Sequence, residues 1–275
     1  MTRAAGLLGV PQSTLSRGIA RLEADLGAAL FVRAGRTIRL TRAGQSLLTA
    51  AERALAELDT GVREVAGEVD PVRGRVALAF LHTLGAEAVP MILKGFRAEH
   101  PGIRVELVQD RHDAVLAKLR AAEVDLCLTS PLPEEAGIAT RALQEQRLSL
   151  AVPAGHRFAT RRDIRLAEAA QEQFVGFAPA YGMRRISDEW CRQAGFSPVL
   201  AFEGQDVETL RGLVTAGLGV ALLPTDTGRG ALGVVDVRVT EPRTTRTVGV
   251  AWMSERPAPA PVQALRDFVL RTGRL

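Results

Sequence analysis

The residues best equipped for chemistry lie early, in Gln12-Ser13-Thr14-Leu15-Ser16-Arg17-Gly18-Ile19-Ala20-Arg21-Leu22-Glu23-Ala24-Asp25-Leu26. As a helix, this stretch places Leu15, Ile19, Leu22 and Leu26 on one face, at i, i+4, i+7 and i+11. Ser13, Arg17 and Ala20 fall on the opposite face, flanked by Arg21. An apolar face of this kind docks on a small core. The other face suits a DNA major groove: small residues permit close approach, Ser and Thr hydroxyls donate to phosphates or base edges, and arginine grips guanine bidentately. An ordinary amphipathic surface helix is the plainer alternative, and the flanking chain decides between them.

The stretch must be held by its neighbours. Thr2–Leu8 reads as a short helix, Gly9-Val10-Pro11 breaks it, and Gly27 is placed to end the second helix, which together make a helix-turn-helix. Leu30–Arg33 and Thr37–Leu40 flank a turn at Ala34-Gly35, a small hairpin with Arg33, Arg36 and Arg39 near its tip. Such a basic wing suits phosphate or minor-groove contact. Thr41 is a cap for a long helix to about Val69, stopped by Asp70-Pro71. Leu48, Ala51, Leu55, Leu58, Val62, Val65 and Val69 alternate at spacings of three and four, a heptad stripe that favours pairing with a second copy over packing on its own body.

Charge agrees. The chain has 275 residues and a formal net charge of +4. Residues 1–42 hold seven arginines against Glu23 and Asp25, a net +5, so the remainder is close to neutral. A basic head on a neutral body points to a polyanion partner for the head alone, here double-stranded DNA. No apolar run approaches the ~20 residues of a membrane span, and no secretory signal precedes the first helix, so a cytoplasmic protein is expected. Cys127 and Cys191 have neither CxxC nor metal spacing; Cys127 reads as a small core residue, with a redox pair as the lesser alternative.

Ala4-Ala5-x-x-Leu8, Pro11-Gln12-Ser13-Thr14-Leu15-Ser16-Arg17-x-Ile19-x-x-Leu22-Glu23-x-x-Leu26-Gly27 and Leu30-Phe31-x-Arg33-x-x-Arg36-x-Ile38-x-Leu40-Thr41-x-Ala43-Gly44 together resemble the head of the LysR-type transcriptional regulators. The resemblance implies that Gln12, Ser13, Ser16 and Arg17 face bases or phosphates and that Arg36 reaches DNA from the wing. Thr14, Arg21 and Arg33 complete the expected DNA-facing set. Members of that family begin with a further helix, whereas this sequence starts where that helix has ended. Exposed apolar faces at Leu8, Leu15 and Ile19 are therefore expected, and with them weak DNA binding unless the working protein begins upstream.

From Gly74 onward, strand-like runs (Val76–Phe80, Val105–Val108, Val124–Leu128, Leu148–Val152, Val248–Trp252) alternate with helical segments near residues 86–99, 112–122, 182–194, 206–217 and 261–271. This predicts an α/β body with mainly parallel strands. Val89-Pro90-x-Ile92-Leu93-x-x-Phe96-x-x-x-His100-Pro101-Gly102, with Glu203–Leu210 and Val214–Pro224, resembles the effector domain of the same family. The implied architecture is a winged helix-turn-helix (1–41), a linker and dimerisation helix (42–70), and a two-lobed, periplasmic-binding-protein-like effector domain (73–275). Its first lobe is expected at 73–152 and 248–275, its second at 153–247. The resemblance implies a homodimer or homotetramer and no cofactor.

Ligands of open α/β sheets bind at strand C-termini, where helix N-termini present free N–H groups. That places the effector site at His82 and Thr83, the latter also as a helix cap, at Ser130, at Tyr181, and at Gln205 with Gly219. A catalytic His82 is disfavoured, since no Ser/Asp partner, phosphate loop or metal spacing accompanies it. The leading expectation is a transcription factor controlled by a small metabolite. The alternative is a small-molecule-binding protein that has lost DNA binding through its missing first helix.

Overall fold

The computed structural model describes residues 2–34, 37–69, 73–225 and 233–273, in two compact units, Met1–Asp59 and Thr60–Leu275. The first unit opens with α1 (Thr2–Leu7) and α2 (Gln12–Leu26), followed by an antiparallel hairpin of β1 (Phe31–Ala34) and β2 (Thr37–Leu40). Helix α3 (Arg42–Val69) runs from this unit into the next.

Local chemistry explains these boundaries. Pro11 precedes α2 with φ −59°, and Gly27 ends it at φ +64°, where its N–H reaches the Ala24 carbonyl while Ala28 N–H reaches that of Glu23. This is a Schellman ending, which glycine adopts without the Cβ penalty other residues meet. Thr41 caps α3: its hydroxyl accepts the Gly44 N–H at 3.0 Å and donates to the Ala29 carbonyl at 2.7 Å.

The inward face of α2 differs from the expectation. Leu15 and Ile19 are half-buried, but Leu22 and Leu26 remain 42% and 49% exposed. The face turned inward runs instead through Ser16 and Glu23. The reason is polar: Glu23 Oε1 accepts the N–H groups of Leu30 (2.7 Å) and Phe31 (3.1 Å), so the hairpin closes on that side. Leu8 is 65% exposed, as expected, whereas Leu15 and Ile19, expected to be exposed with it, are half-buried.

The second unit contains, in order, β3 (Gly74–Leu81), a 3-10 turn (His82–Leu84), α4 (Ala88–Glu99), β4 (Ile103–Asp110), α5 (His112–Arg120), β5 (Leu126–Thr129) and β6 (Ile138–Pro153). Next come β7 (Asp163–Arg165), β8 (Gln173–Phe177), α6 (Gly182–Gln193), β9 (Val199–Gly204), α7 (Val207–Thr215), β10 (Ala221–Pro224), β11 (Val234–Glu241), β12 (Thr245–Met253) and α8 (Ala260–Thr272). The main sheet runs β4-β3-β5-β12-β6-β11-β7, with β10 also on β6, while β8 and β9 pair separately. The expectation of mainly parallel strands is corrected. Parallel pairing holds at β3–β4, β3–β5, β7–β11 and β8–β9, but β6 and β12 run antiparallel to every strand they pair with.

Two apolar cores result. One gathers β3, α4, β5 and α8 around Leu78, Phe96, Leu126 and Phe268; the other gathers β8, α6, α7 and β10 around Phe158, Leu166, Leu210 and Leu223. Strand β6 pairs with β12 over Ile138–Arg147 and with β10 and β11 over Leu148–Pro153, so it carries the chain from one lobe into the other. Leu148, Leu150 and Val152 accordingly pack in the second core, which moves the lobe boundary back from the expected 152.

Candidate functional site

Among the residues expected to face DNA, Gln12, Ser13, Thr14, Arg17 and Arg21 are exposed on α2, and Arg33 is exposed on β1. Arg17 donates from Nε to the Ser13 carbonyl at 3.3 Å, which lays its guanidinium along the helix surface. Ser16 is half-buried on the turned face. Arg36 lies outside the described residues. Strand residues Ala34 and Thr37 pair directly, and Arg33 on β1 and Arg39 on β2 are exposed.

The effector-site residues meet between the two lobes. The end of β3 delivers His82 and Thr83, the end of β5 delivers Ser130, and the start of α6 delivers Tyr181. A cleft of about 460 Å³ is lined by His82, Thr83, Glu87, Gln109, Gln144, Gln146, Asp206, Glu208 and Arg211, among others. On its other side, His82 and Thr83 help enclose a second cavity of about 20 Å³, together with Asp110, Arg111, His112, Ser130, Tyr181, Met183 and Arg246. Ser130 Oγ and His82 Nδ1 are buried there and lack any hydrogen-bond partner. Two orphaned polar atoms in one cavity mark a place where the protein leaves its hydrogen-bonding incomplete. The His82 ring meets Tyr181 edge-on at 5.6 Å between centroids.

Three expectations are corrected. Thr83 does not cap the following helix: it sits within the 3-10 turn, and its hydroxyl accepts from Arg246 Nη2 at 2.7 Å. Gln205 is exposed and absent from both cavity walls; its neighbour Asp206 lines the larger one and caps α7, accepting the Thr209 N–H at 2.8 Å. Gly219 lines neither cavity. With φ +152° it lets the chain pass the Gln173 carbonyl, which a Cβ would approach to 2.7 Å, so the requirement there is backbone packing.

Sequence reasoning missed Arg246 and Gln146. They are direct cross-strand partners on β12 and β6, the strands that join the lobes. Arg246 is 5% exposed; Nε and Nη2 donate to Gln146 Oε1 at 2.8 and 2.6 Å, and Nη1 donates to Met183 Sδ at 3.0 Å. Its burial pulls the guanidinium down to about 10, still cationic at neutral pH, and no carboxylate among the described residues lies within ion-pair distance of it. The Asp110 carboxylate on the same cavity wall accepts the Arg111 N–H. A lone arginine in an alternating strand offers no sequence signal, because its isolation from acids is a tertiary fact.

Cys127 and Cys191 are fully buried in different cores, and burial pushes both thiols up to about 12. This disposes of the pair as partners in a ready redox exchange.

The comparisons with known proteins agree with this layout. The family described as "Bacterial regulatory helix-turn-helix protein, lysR family" matches residues 1–45, and "LysR substrate binding domain" matches residues 70–274. The uncharacterized HTH-type transcriptional regulator YybE of Bacillus subtilis is 35% identical, across 98% of this chain and 92% of its own. A probable hydrogen peroxide-inducible genes activator of Mycobacterium leprae is 32% identical, across 91% and 82%. Full-length CbnR, solved in complex with its target DNA, has the same fold: TM-score 0.74 at 22% identity, covering 98% of this chain and 93% of that one. The first match extends over helix-turn-helix and hairpin together, which overturns the alternative of a binding protein that has lost its DNA contact.

Proposed function

The chain belongs to the LysR family of transcriptional regulators, DNA-binding, effector-responsive and oligomeric, and from that premise we propose which residues serve each task. Residues 1–41 form the DNA-reading head, 42–70 the linker that pairs copies, and 73–275 the effector domain. Gln12, Ser13, Thr14 and Arg17 present donors to base edges and phosphates from α2, while Arg21, Arg33 and Arg36 contribute backbone contacts. The described residues contain no helix long and apolar enough to cross a membrane, in keeping with a regulator at work in the cytoplasm.

The effector enters between the lobes, where Thr83, His82, Ser130 and Tyr181 converge. The observation that carries this reading is the pair of orphaned atoms, Ser130 Oγ and His82 Nδ1, in a cavity walled by both lobes. Each buried polar group without a partner costs about 1–3 kcal/mol, which a ligand hydrogen bond returns. Because β6 pairs with strands of both lobes, a ligand held by the two lobes shifts their equilibrium and, in an oligomer, the spacing of the heads on DNA. A cysteine-based redox response has no support in these two buried thiols.

The test is fluorescence anisotropy with the intergenic DNA beside the gene, at two salt concentrations. Binding should weaken steeply with salt, and Arg17→Ala should weaken it further while lowering the log–log slope by about one unit. A salt-independent signal, or one indifferent to Arg17→Ala and Ser13→Ala together, refutes the assignment of α2 as the reading helix.

A further inference from the structure

We propose that the effector is a small carboxylate, and that Arg246 is the residue that reads its charge. The inference rests on the interlobe effector site proposed above and names the chemistry of its occupant. Arg246 is a cation buried on the strand pair joining the lobes, and every acceptor it touches is neutral: the Gln146 amide oxygen, the Thr83 hydroxyl and the Met183 thioether. Buried charges are ordinarily paired, because desolvation costs several kcal/mol per ion. A protein that keeps one unpaired beside a cavity holds half of an ion pair.

The geometry says where the other half goes. Nη1 points at Met183 Sδ, a weak acceptor that a carboxylate oxygen would displace with gain. Thr83, Ser130 and His82 line the same cavity, and Ser130 is 2% exposed with its Oγ unpartnered. A planar carboxylate takes the guanidinium on one edge and hydroxyl or imidazole donors on the other, which matches this set. At about 20 Å³ the cavity admits the head group alone. Thr83 and His82 also line the 460 Å³ cleft, where Gln109, Gln144 and Gln146 offer amides to a polar body. The burial of Arg246 that pulls it down to about 10 leaves it charged at neutral pH, ready for an anion.

The experiment uses the full chain and head-group probes that fit the small cavity: sodium formate, formamide, sodium sulfate and sodium chloride at matched ionic strength, read as thermal midpoints. Formate should raise the midpoint by about 2 °C or more over chloride, and formamide should not. Arg246→Met should abolish the formate response while raising the ligand-free midpoint, since it removes an uncompensated buried charge. A ligand-free Arg246→Met that is less stable than the parent makes the arginine a structural strut and overturns the proposal. So does a sulfate response equal to that of formate, which would assign an inorganic oxyanion instead. Ser130→Ala separates the two levels of the argument. If formate and formamide stabilise equally and both responses vanish in Ser130→Ala, the cleft stands and the carboxylate assignment falls. If neither substitution changes any response, both fall.

Discussion

Arg211 and Asp236 form the most deeply buried ion pair described here, with side chains 7% and 14% exposed. Arg211, on α7, donates to Asp236 Oδ1 and Oδ2 of β11 at 3.1 and 3.0 Å, and to the Pro224 carbonyl at 2.7 Å. The pair therefore ties a helix to two strands of the second lobe at the wall of the larger cleft. Asp236→Ala leaves the guanidinium buried with the Pro224 carbonyl as its remaining acceptor in this set. Stranding one partner of such a pair costs about 3–5 kcal/mol. For a domain of this size, each kcal/mol moves the midpoint by roughly 2–4 °C, so a loss of about 6–20 °C is expected. Tryptophan fluorescence is a direct assay: the chain has two tryptophans, Trp190 and Trp252, both in the effector domain, and Trp190 is part of the second lobe's core. A double replacement, Arg211→Met with Asp236→Leu, should recover most of the loss, because an apolar pair carries no stranded charge. A midpoint change under about 3 °C for Asp236→Ala, or a double variant as damaged as the single one, would refute the reasoning.

Three further outcomes follow from other parts of the chain. Gly44→Ala should unfold or loosen the head and abolish anisotropy on DNA while leaving tryptophan unfolding unchanged, since an added Cβ runs into the Leu30 carbonyl. His112 contacts Thr129 Oγ1 at 2.9 Å, and burial lowers its pKa, with Arg185 and Arg120 also lowering it and Asp113 opposing them. The unfolded chain therefore binds that proton more readily; the neutral ring's contribution is present above the ordinary value near 6.5 and is lost as pH falls below it. Midpoints measured from pH 7.5 to 5.5 should fall, and His112→Gln should flatten that part of the profile. Along α3, Leu55, Leu58, Val62 and Val65 are 64–69% exposed, so Leu58→Asp should lower the oligomeric mass seen by sedimentation velocity, and an unchanged mass would remove the stripe from the interface.

Periodicity and turn chemistry made much of the architecture legible in the sequence. The breaks at Pro11 and Gly27, the Thr41 cap and the heptad stripe are local signals, and α2 and α3 form where they indicate. The helices of the effector domain likewise fall within a few residues of their apolar patterns. Strand direction was not legible, because a buried run such as Leu148–Val152 reads the same whether its neighbour is parallel or antiparallel. Nor was the inward face of α2: hydrophobic spacing put Leu22 and Leu26 inward, whereas both stay exposed and Glu23 is instead half-buried, its carboxylate accepting the Leu30 and Phe31 N–H groups. At the site, strand ends pointed to Thr83, His82, Ser130 and Tyr181, since ligand positions in α/β sheets follow from where strands stop. Arg246 could be found only in three dimensions. Any arginine on a strand looks solvated in one dimension; that this one is sealed among Gln146, Thr83 and Met183 depends on residues 100, 163 and 63 positions away along the chain. Local chemistry determined the elements, and the absence of a counter-charge around one cation was decided by tertiary packing alone.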